Sequence, residues 1–331
     1  GARAMNALNP VVNAPRVVTV ALNPALDQTI EVAGLQPGAV NRALRMQIDV
    51  GGKAINVASC LSDFGVPVAV AGQLGRDNAV LFEELFQRKK IANHCCYLDG
   101  LTRINTKLAD TVSGETTDLN MPGTEFSPEA AADLLNQILE RLERLAGQVD
   151  WIVLSGSLPP GMPVNAYATI TERMQAAGAS VLLDTSGAPL KAALAAGPRM
   201  IKPNRHELAE LLGRPLDSLA SLVAAGRELL HGSPAPAWVV ISLGSEGALF
   251  LTREQALHAH PLKVAVISTV GAGDAMVAGL VAARLEDLSL AETAQLATAF
   301  SAAKLTRLGP HLPRPAEVRA LAGQVAVTPV D

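Results

Sequence analysis

Short apolar runs alternate with amphipathic stretches along most of the chain. Val17–Leu22 reads as a buried strand, and so do Val66–Ala71, Trp151–Leu154, Ser180–Leu183, Met200–Ile201 and Trp238–Ser242. The stretches between them carry helical spacing. Ser127-Pro128-Glu129 supplies an N-cap, a proline at the first helical position and an acid in the first turn. Leu134, Leu135, Ile138, Leu142 and Leu145 then fall at helical spacing, and Gly147 follows as a stop signal. Strand–helix alternation sustained over roughly 200 residues predicts an α/β fold, a parallel sheet covered by helices on both faces. Gln28–Ile48 and Cys95–Met121 break the pattern with Thr, Ile and Val runs, small turns at Gly34 and Gly114, and interleaved polar residues. They predict short antiparallel strands, a small β appendage built from two insertions.

Composition narrows the function classes. Of 331 residues, 49% are apolar and 18% charged, so a large core is available. The 27 Lys and Arg against 31 Asp and Glu leave a net charge of −4, and aromatics are 3%, which speaks against a nucleic-acid surface. A small anionic substrate needs only a local cluster of cations. Cys60, Cys95 and Cys96 offer no disulfide framework and no CxxC zinc pair, as expected of a reducing cytosol. No apolar run has the length of a membrane span. Residues 1–16 read as a tail without the basic and apolar regions of a secretory signal. The six histidines form no HExxH pattern, and His258-Ala259-His260 reads as a solvated pair in a loop or strand before Pro261.

Two motifs carry chemistry. Ser268-Thr269-Val270-Gly271-Ala272-Gly273-Asp274 follows a β-rich segment, Val264–Ile267, and opens an apolar helix. Gly271 and Gly273 let backbone N–H groups, Ala272's included, approach an anion, and the helix N-terminus adds a favourable dipole. Asp274 can take a proton from an attacking hydroxyl, or merely cap the helix. Gly51-Gly52-Lys53-Ala54-Ile55-Asn56 opens another helix with Lys and Asn in its first turns. That suits a sugar-binding turn with Lys53 near a phosphate, and equally a plain strand-to-helix turn. There is no GxxxxGK[ST] string, so this is no P-loop protein.

Together these strings resemble the ribokinase-like PfkB family of carbohydrate kinases, and the resemblance runs from Val17 to about Val318. It implies a three-layer αβα fold with a mostly parallel central sheet and a β lid formed by the insertions at about 28–48 and 95–121, within one kinase domain over 17–331. It also implies ATP and Mg²⁺ as cofactors and a homodimer through the lid, whose apolar Ile30, Val32 and Ile48 would fit. Asp274 becomes the general base, with Gly271, Ala272 and Gly273 as anion hole. Asp27 of Asn23-Pro24-Ala25-Leu26-Asp27, with Gly51, Gly52 and Asn56, would hold the sugar. Arg103, Asn105 and Lys107 alternate onto one strand face, where Arg103 and Lys107 would join Lys53 on the substrate phosphate; a solvated edge strand is the bland reading. Ser155, in Ser155-Gly156-Ser157-Leu158-Pro159-Pro160-Gly161, would line the sugar phosphate. Asn204 and Glu207 have capping-box spacing, and by resemblance they also position Mg²⁺ through water, with Lys202 nearby at the nucleotide. Ser242, Gly244 and Gly247 would contact the nucleotide. The pairing of Thr102-Arg103-Ile104-Asn105 with Thr117-Asp118-Leu119-Asn120-Met121-Pro122-Gly123 resembles members that use fructose 1-phosphate. Kinases of tagatose 6-phosphate or fructose 6-phosphate and a non-catalytic sugar-phosphate-binding protein are the alternatives. Ser268 stands where ribokinase itself has an Asp that helps bind a monovalent cation, which speaks against potassium activation.

Overall fold

A computed structural model describes residues 14–331; most of the tail lies outside the described residues. Ten strands form the main sheet and four a second one. In chain order they are β1 (Val17–Ala21), β2 (Ala25–Val32), β3 (Arg45–Gly51), β4 (Val68–Gly75), β5 (Ala92–Leu98), β6 (Ile104–Asp110), β7 (Thr116–Leu119), β8 (Trp151–Ser155), β9 (Ser180–Asp184), β10 (Met200–Ile201), β11 (Trp238–Ser242), β12 (Ala248–Leu251), β13 (Ala256–Ala259) and β14 (Val327–Pro329). The main sheet runs β14-β13-β12-β11-β10-β9-β8-β1-β4-β5, with the seven strands from β11 to β5 parallel and the last three antiparallel.

Both faces of this sheet are buried. Successive residues of β1 feed opposite layers: Val17 packs into one apolar cluster and Val18 into the other. Helix Pro128–Leu145 forms as its sequence dictates, with Ser127 Oγ accepting from Ala130 N. Helices Ala272–Leu285 and Leu290–Leu305 pack closely where Gly279 faces Ala297 and Phe300; a Cβ on Gly279 would stand 2.7 Å from Ala297 Cα.

The second sheet runs β3-β2-β6-β7. Its β2–β6 join is parallel, against the antiparallel expectation. Apolar and polar alternation fixes faces but carries no strand direction. The Cys95–Met121 insertion also starts later than expected, because Cys95 and Cys96 belong to β5 of the main sheet and face its two cores. Val264–Ile267 is not a strand: Ile267 N donates to Leu305 O (2.7 Å), and β14 takes the free edge of β13 instead. No helix among the described residues is long and apolar enough to cross a membrane.

Candidate active site

The chain leaves β1 toward β4 and β5 on one side and later fills β8 to β11 on the other. The strand order therefore reverses between β1 and β8, where doubly wound sheets bind ligands at the carboxyl ends of their strands. A cavity of about 330 Å³ opens there. Ala21, Ser155 and Asp184 at the ends of β1, β8 and β9 form its floor, and Asp27, Arg103 and Asn105 reach it from the second sheet. Gly52, Lys53 and Asn56 close a third wall.

Gly52 caps helix Lys53–Asp63 at φ 92°, a backbone region that other residues rarely adopt. Lys53 and Asn56 lie one turn apart, so both meet the same neighbour, Asp274. Lys53 Nζ stands 3.4 Å from Asp274 Oδ1, and Asn56 Nδ2 donates to Asp274 Oδ2 at 2.9 Å. Asp274 itself sits in the first turn of helix Ala272–Leu285, 5% exposed, behind the left-handed Gly271 (φ 84°). Burial pushes its carboxyl above the ordinary carboxylate range, while Lys53 and Asn56 pull the other way; Asp274 in turn holds the Lys53 ammonium above its usual value. Lys202 and Asp184 form a buried pair, Nζ to Oδ2 3.8 Å, and a Cβ on Gly273 would lie 3.8 Å from Lys202 Nζ. A cation thus stands beside the glycine turn.

The other expected residues separate. Asp27 is raised by burial, opposed chiefly by its bond with Asn105 and the charge of Arg103. Gly51 does not reach the cavity; it lies under Asp27, whose Oδ2 would be 2.1 Å from a Cβ there. Lys107 shares the Asp27 and Asn105 face of the second sheet but stands one pleat beyond the cavity. Arg103 is not a free fork: Nε donates to Pro24 O (3.2 Å), and the two terminal nitrogens donate to Met121 O (2.9 Å) and Asn23 O (3.0 Å). A long cation next to three unpaired carbonyls satisfies them first. Glu207 lines the cavity, yet it and Asn204 also form the capping box: Glu207 N donates to Asn204 Oδ1 (2.7 Å) and Asn204 N to Glu207 Oε1 (3.0 Å). Ser242, Gly244 and Gly247 lie outside the cavity on the β11–β12 turn, Ser242 bridging to Asn204. Gly247 has a structural reason of its own, since a Cβ would meet Ala259 O at 2.0 Å.

Sequence reading missed Asp184. It is Ser155's partner across β8 and β9, and both carry a buried oxygen without a hydrogen-bond partner. The available signal was Asp184-Thr185-Ser186-Gly187 ending a buried strand.

A doubly wound sheet with this cavity at its switch point, a glycine turn and a buried carboxylate is the architecture of a ribokinase-like phosphotransferase. Residues 20–317 match the pfkB family carbohydrate kinase description, and the chain belongs to that family. It is 48% identical over 320 residues to the 1-phosphofructokinase of Xanthomonas campestris, covering 94% of this chain and 98% of that protein. It is 46% identical over 312 residues to the 1-phosphofructokinase of Rhodobacter capsulatus, covering 94% and 97%. Crystalline phosphofructokinase-2 from Escherichia coli in complex with potassium superposes with a TM-score of 0.85 at 28% identity, covering 94% of this chain and 99% of that one.

Proposed function

We propose that the chain transfers the γ-phosphoryl group of ATP to D-fructose 1-phosphate, giving fructose 1,6-bisphosphate. The observation that carries this is the buried Asp274 carboxylate at a glycine-opened helix N-terminus, touching two groups that line the cavity. Asp274 takes the proton of the attacking hydroxyl, and burial raises its carboxyl above the ordinary range, the direction that strengthens a base. The N–H groups of Gly271, Ala272 and Gly273 meet the charge that develops on the transferring phosphoryl, with Lys202 beside them. Asp27, Gly52, Asn56 and Asn105 orient the sugar. Lys53 and Ser155 take its phosphate, with Lys107 in support, and Arg103 braces the loop at Asn23, Pro24 and Met121. The base of ATP lies against the apolar Val266, Ile267, Val270 and Leu308, which are exposed beside the turn, with Ser242, Gly244 and Gly247 along its edge. Asp184 Oδ2, which accepts no hydrogen bond and only faces Lys202 at 3.8 Å, forms with Glu207 in the same cavity a hard-oxygen donor set that fits Mg²⁺. Bound there, Mg²⁺ would neutralise phosphate charge; Asn204 serves it through Glu207's orientation.

The second sheet supports a dimer. Its Asp27 face is polar, while the reverse carries Met46, Ile30 and Leu108 in register across three strands, with Leu119 on the same face opposite Thr106. Met46 and Leu119 are exposed, whereas Val32 is buried and Ile48 packs on the chain's own core. A second copy covering this face gives a homodimer, and Met46→Glu should return it to monomer by sedimentation; a parent that sediments as monomer refutes the interface.

The function is tested by ADP release from Mg-ATP with fructose 1-phosphate, fructose 6-phosphate and tagatose 6-phosphate in parallel. Fructose 1-phosphate should lead in kcat/KM by about tenfold or more, ~1.4 kcal/mol of transition-state discrimination. A leading 6-phosphate refutes the substrate, and no turnover with any of them refutes the kinase reading.

A further inference from the structure

Lys304 occupies the last turn of helix Leu290–Leu305 and is 2% exposed. Its Nζ donates to Arg307 O at 3.2 Å and forms no ion pair among the described residues. A buried ammonium with one neutral acceptor is costly. The helix C-terminus offsets part of that cost through its dipole. Cys60, whose charge would favour the ammonium, does not offset it, since burial pushes its thiol up to about 12. Asp274 is the negative group that Lys304 feels, but its oxygens are taken by Lys53 and Asn56.

The place of this charge explains its retention. A Cβ on Gly271 would lie 3.4 Å from Lys304 Cε, so the lysine arm fills the space directly behind the glycine turn. The same helix grips the turn on either side. Ser301 Oγ donates to Ala272 O at 3.0 Å, and Ile267 N and Ser268 N donate to Leu305 O at 2.7 and 3.2 Å. Cation and turn therefore move as one body.

We propose that Lys304 is a positioning residue for phosphoryl transfer, a fixed internal cation that braces the Gly271–Gly273 turn and adds positive potential where phosphoryl charge develops. The proposal rests on the reading of that turn as the anion hole. Lys304 touches no substrate; it acts through the turn, so it should influence the transition state more than sugar binding.

The test is steady-state kinetics with Mg-ATP and fructose 1-phosphate on Lys304→Met, Lys304→Ala and Asp274→Asn, each with a melting curve. Lys304→Met keeps the length and removes the charge. Its kcat should fall about 10- to 100-fold with the sugar KM little changed, and its Tm should equal or exceed the parent's because a costly charge is gone. Lys304→Ala leaves room for a small cation, so ammonium should restore turnover about tenfold over tetramethylammonium at equal ionic strength, with no such gain for the parent. A Lys304→Met kcat within about twofold of the parent overturns the proposal. So does a loss confined to KM, an unfolded Lys304→Met, or ammonium that leaves Lys304→Ala unchanged. If Asp274→Asn keeps its turnover while the Lys304 variants lose theirs, Asp274 is not the base and the role of Lys304 stands.

Discussion

Gly51→Ala isolates the part Asp27 plays. Gly51 lies in β3 opposite Ala25 and has no left-handed φ, so its own backbone accepts a methyl group. Space does not. The new Cβ would stand 2.1 Å from Asp27 Oδ2 and 2.8 Å from its Cγ, well inside contact distance. The cheapest relief is rotation of the Asp27 carboxylate out of the cavity, away from Asn105, without disturbing the strand. A hydrogen bond from a sugar hydroxyl to a charged acceptor contributes about 1.5–3 kcal/mol, so kcat/KM for the sugar should fall about 10- to 150-fold. Because the effect runs through Asp27, Gly51→Ala combined with Asp27→Ala should be no worse than Asp27→Ala alone. Coupled ADP-release kinetics on the two single variants and the double give the cycle. Parental kcat/KM in Gly51→Ala, or losses that simply add, would refute a hydroxyl-binding role for Asp27.

Asp274→Asn should cut kcat by about 10²–10⁴-fold, the range for a lost general base, while its Tm holds or rises; a cold-labile or unfolded variant would contradict this. The sign follows from the raised carboxyl: the folded state holds the proton more tightly than the unfolded chain, so burial of the charge costs stability above the unfolded pKa and Asn removes that cost at neutral pH. The same shift places the acid limb of kcat above the usual carboxylate range, and Lys53→Met, by removing an opposing charge, should move that limb to higher pH; an unmoved or lowered limb assigns it to another group. Lys89, nearly buried, donates to Asp63 Oδ2 (2.9 Å) and Pro310 O (3.3 Å) and meets His311 Nδ1 at 2.7 Å. Lys89→Met leaves Asp63 without its ion-pair partner but with the Leu312 N–H still donating to it, and should cost about 1–3 kcal/mol in denaturant unfolding; a loss below about 0.5 kcal/mol would make the network ornamental.

Much of the fold is legible because strands buried on both faces announce themselves as apolar runs. β1, β8, β9, β10 and β11 all start where such a run starts. The site is legible where backbone chemistry is unusual, at Gly52-Lys53 and at Gly271–Asp274. It is opaque where a side chain's meaning depends on what the fold brings to it. Arg103 reads as a phosphate ligand; the fold keeps it at the cavity but also brings three carbonyls to it. Asp184 goes unnoticed in the sequence until the fold sets it against Lys202 and in the cavity wall. Lys304, in an alanine-rich helix, carries no signal in the sequence; only the packing of that helix against the glycine turn buries it. Direction of pairing, as at β2 and β6, has no local signal at all.

The charges of the site explain one another. A base that is buried tends to become neutral and useless, and a cation held ready for phosphate tends to find an anion first. Pairing Lys53 with Asp274 answers both tendencies, since the ammonium opposes the upward push of burial on the carboxyl and the carboxyl holds the ammonium above its usual value. Lys202 and Asp184 repeat the arrangement one strand away, beside Gly273. Neither pair is tight: separations of 3.4 and 3.8 Å leave both lysines able to turn toward a phosphate without breaking a short, well-formed bond. On the proposed reading, Asp274 loses its strongest opposing charge when Lys53 turns to the phosphate, and becomes the stronger base. Substrate phosphate and base strength are thereby linked through a single lysine, which is why Lys53→Met should alter the pH profile of kcat as well as the sugar KM.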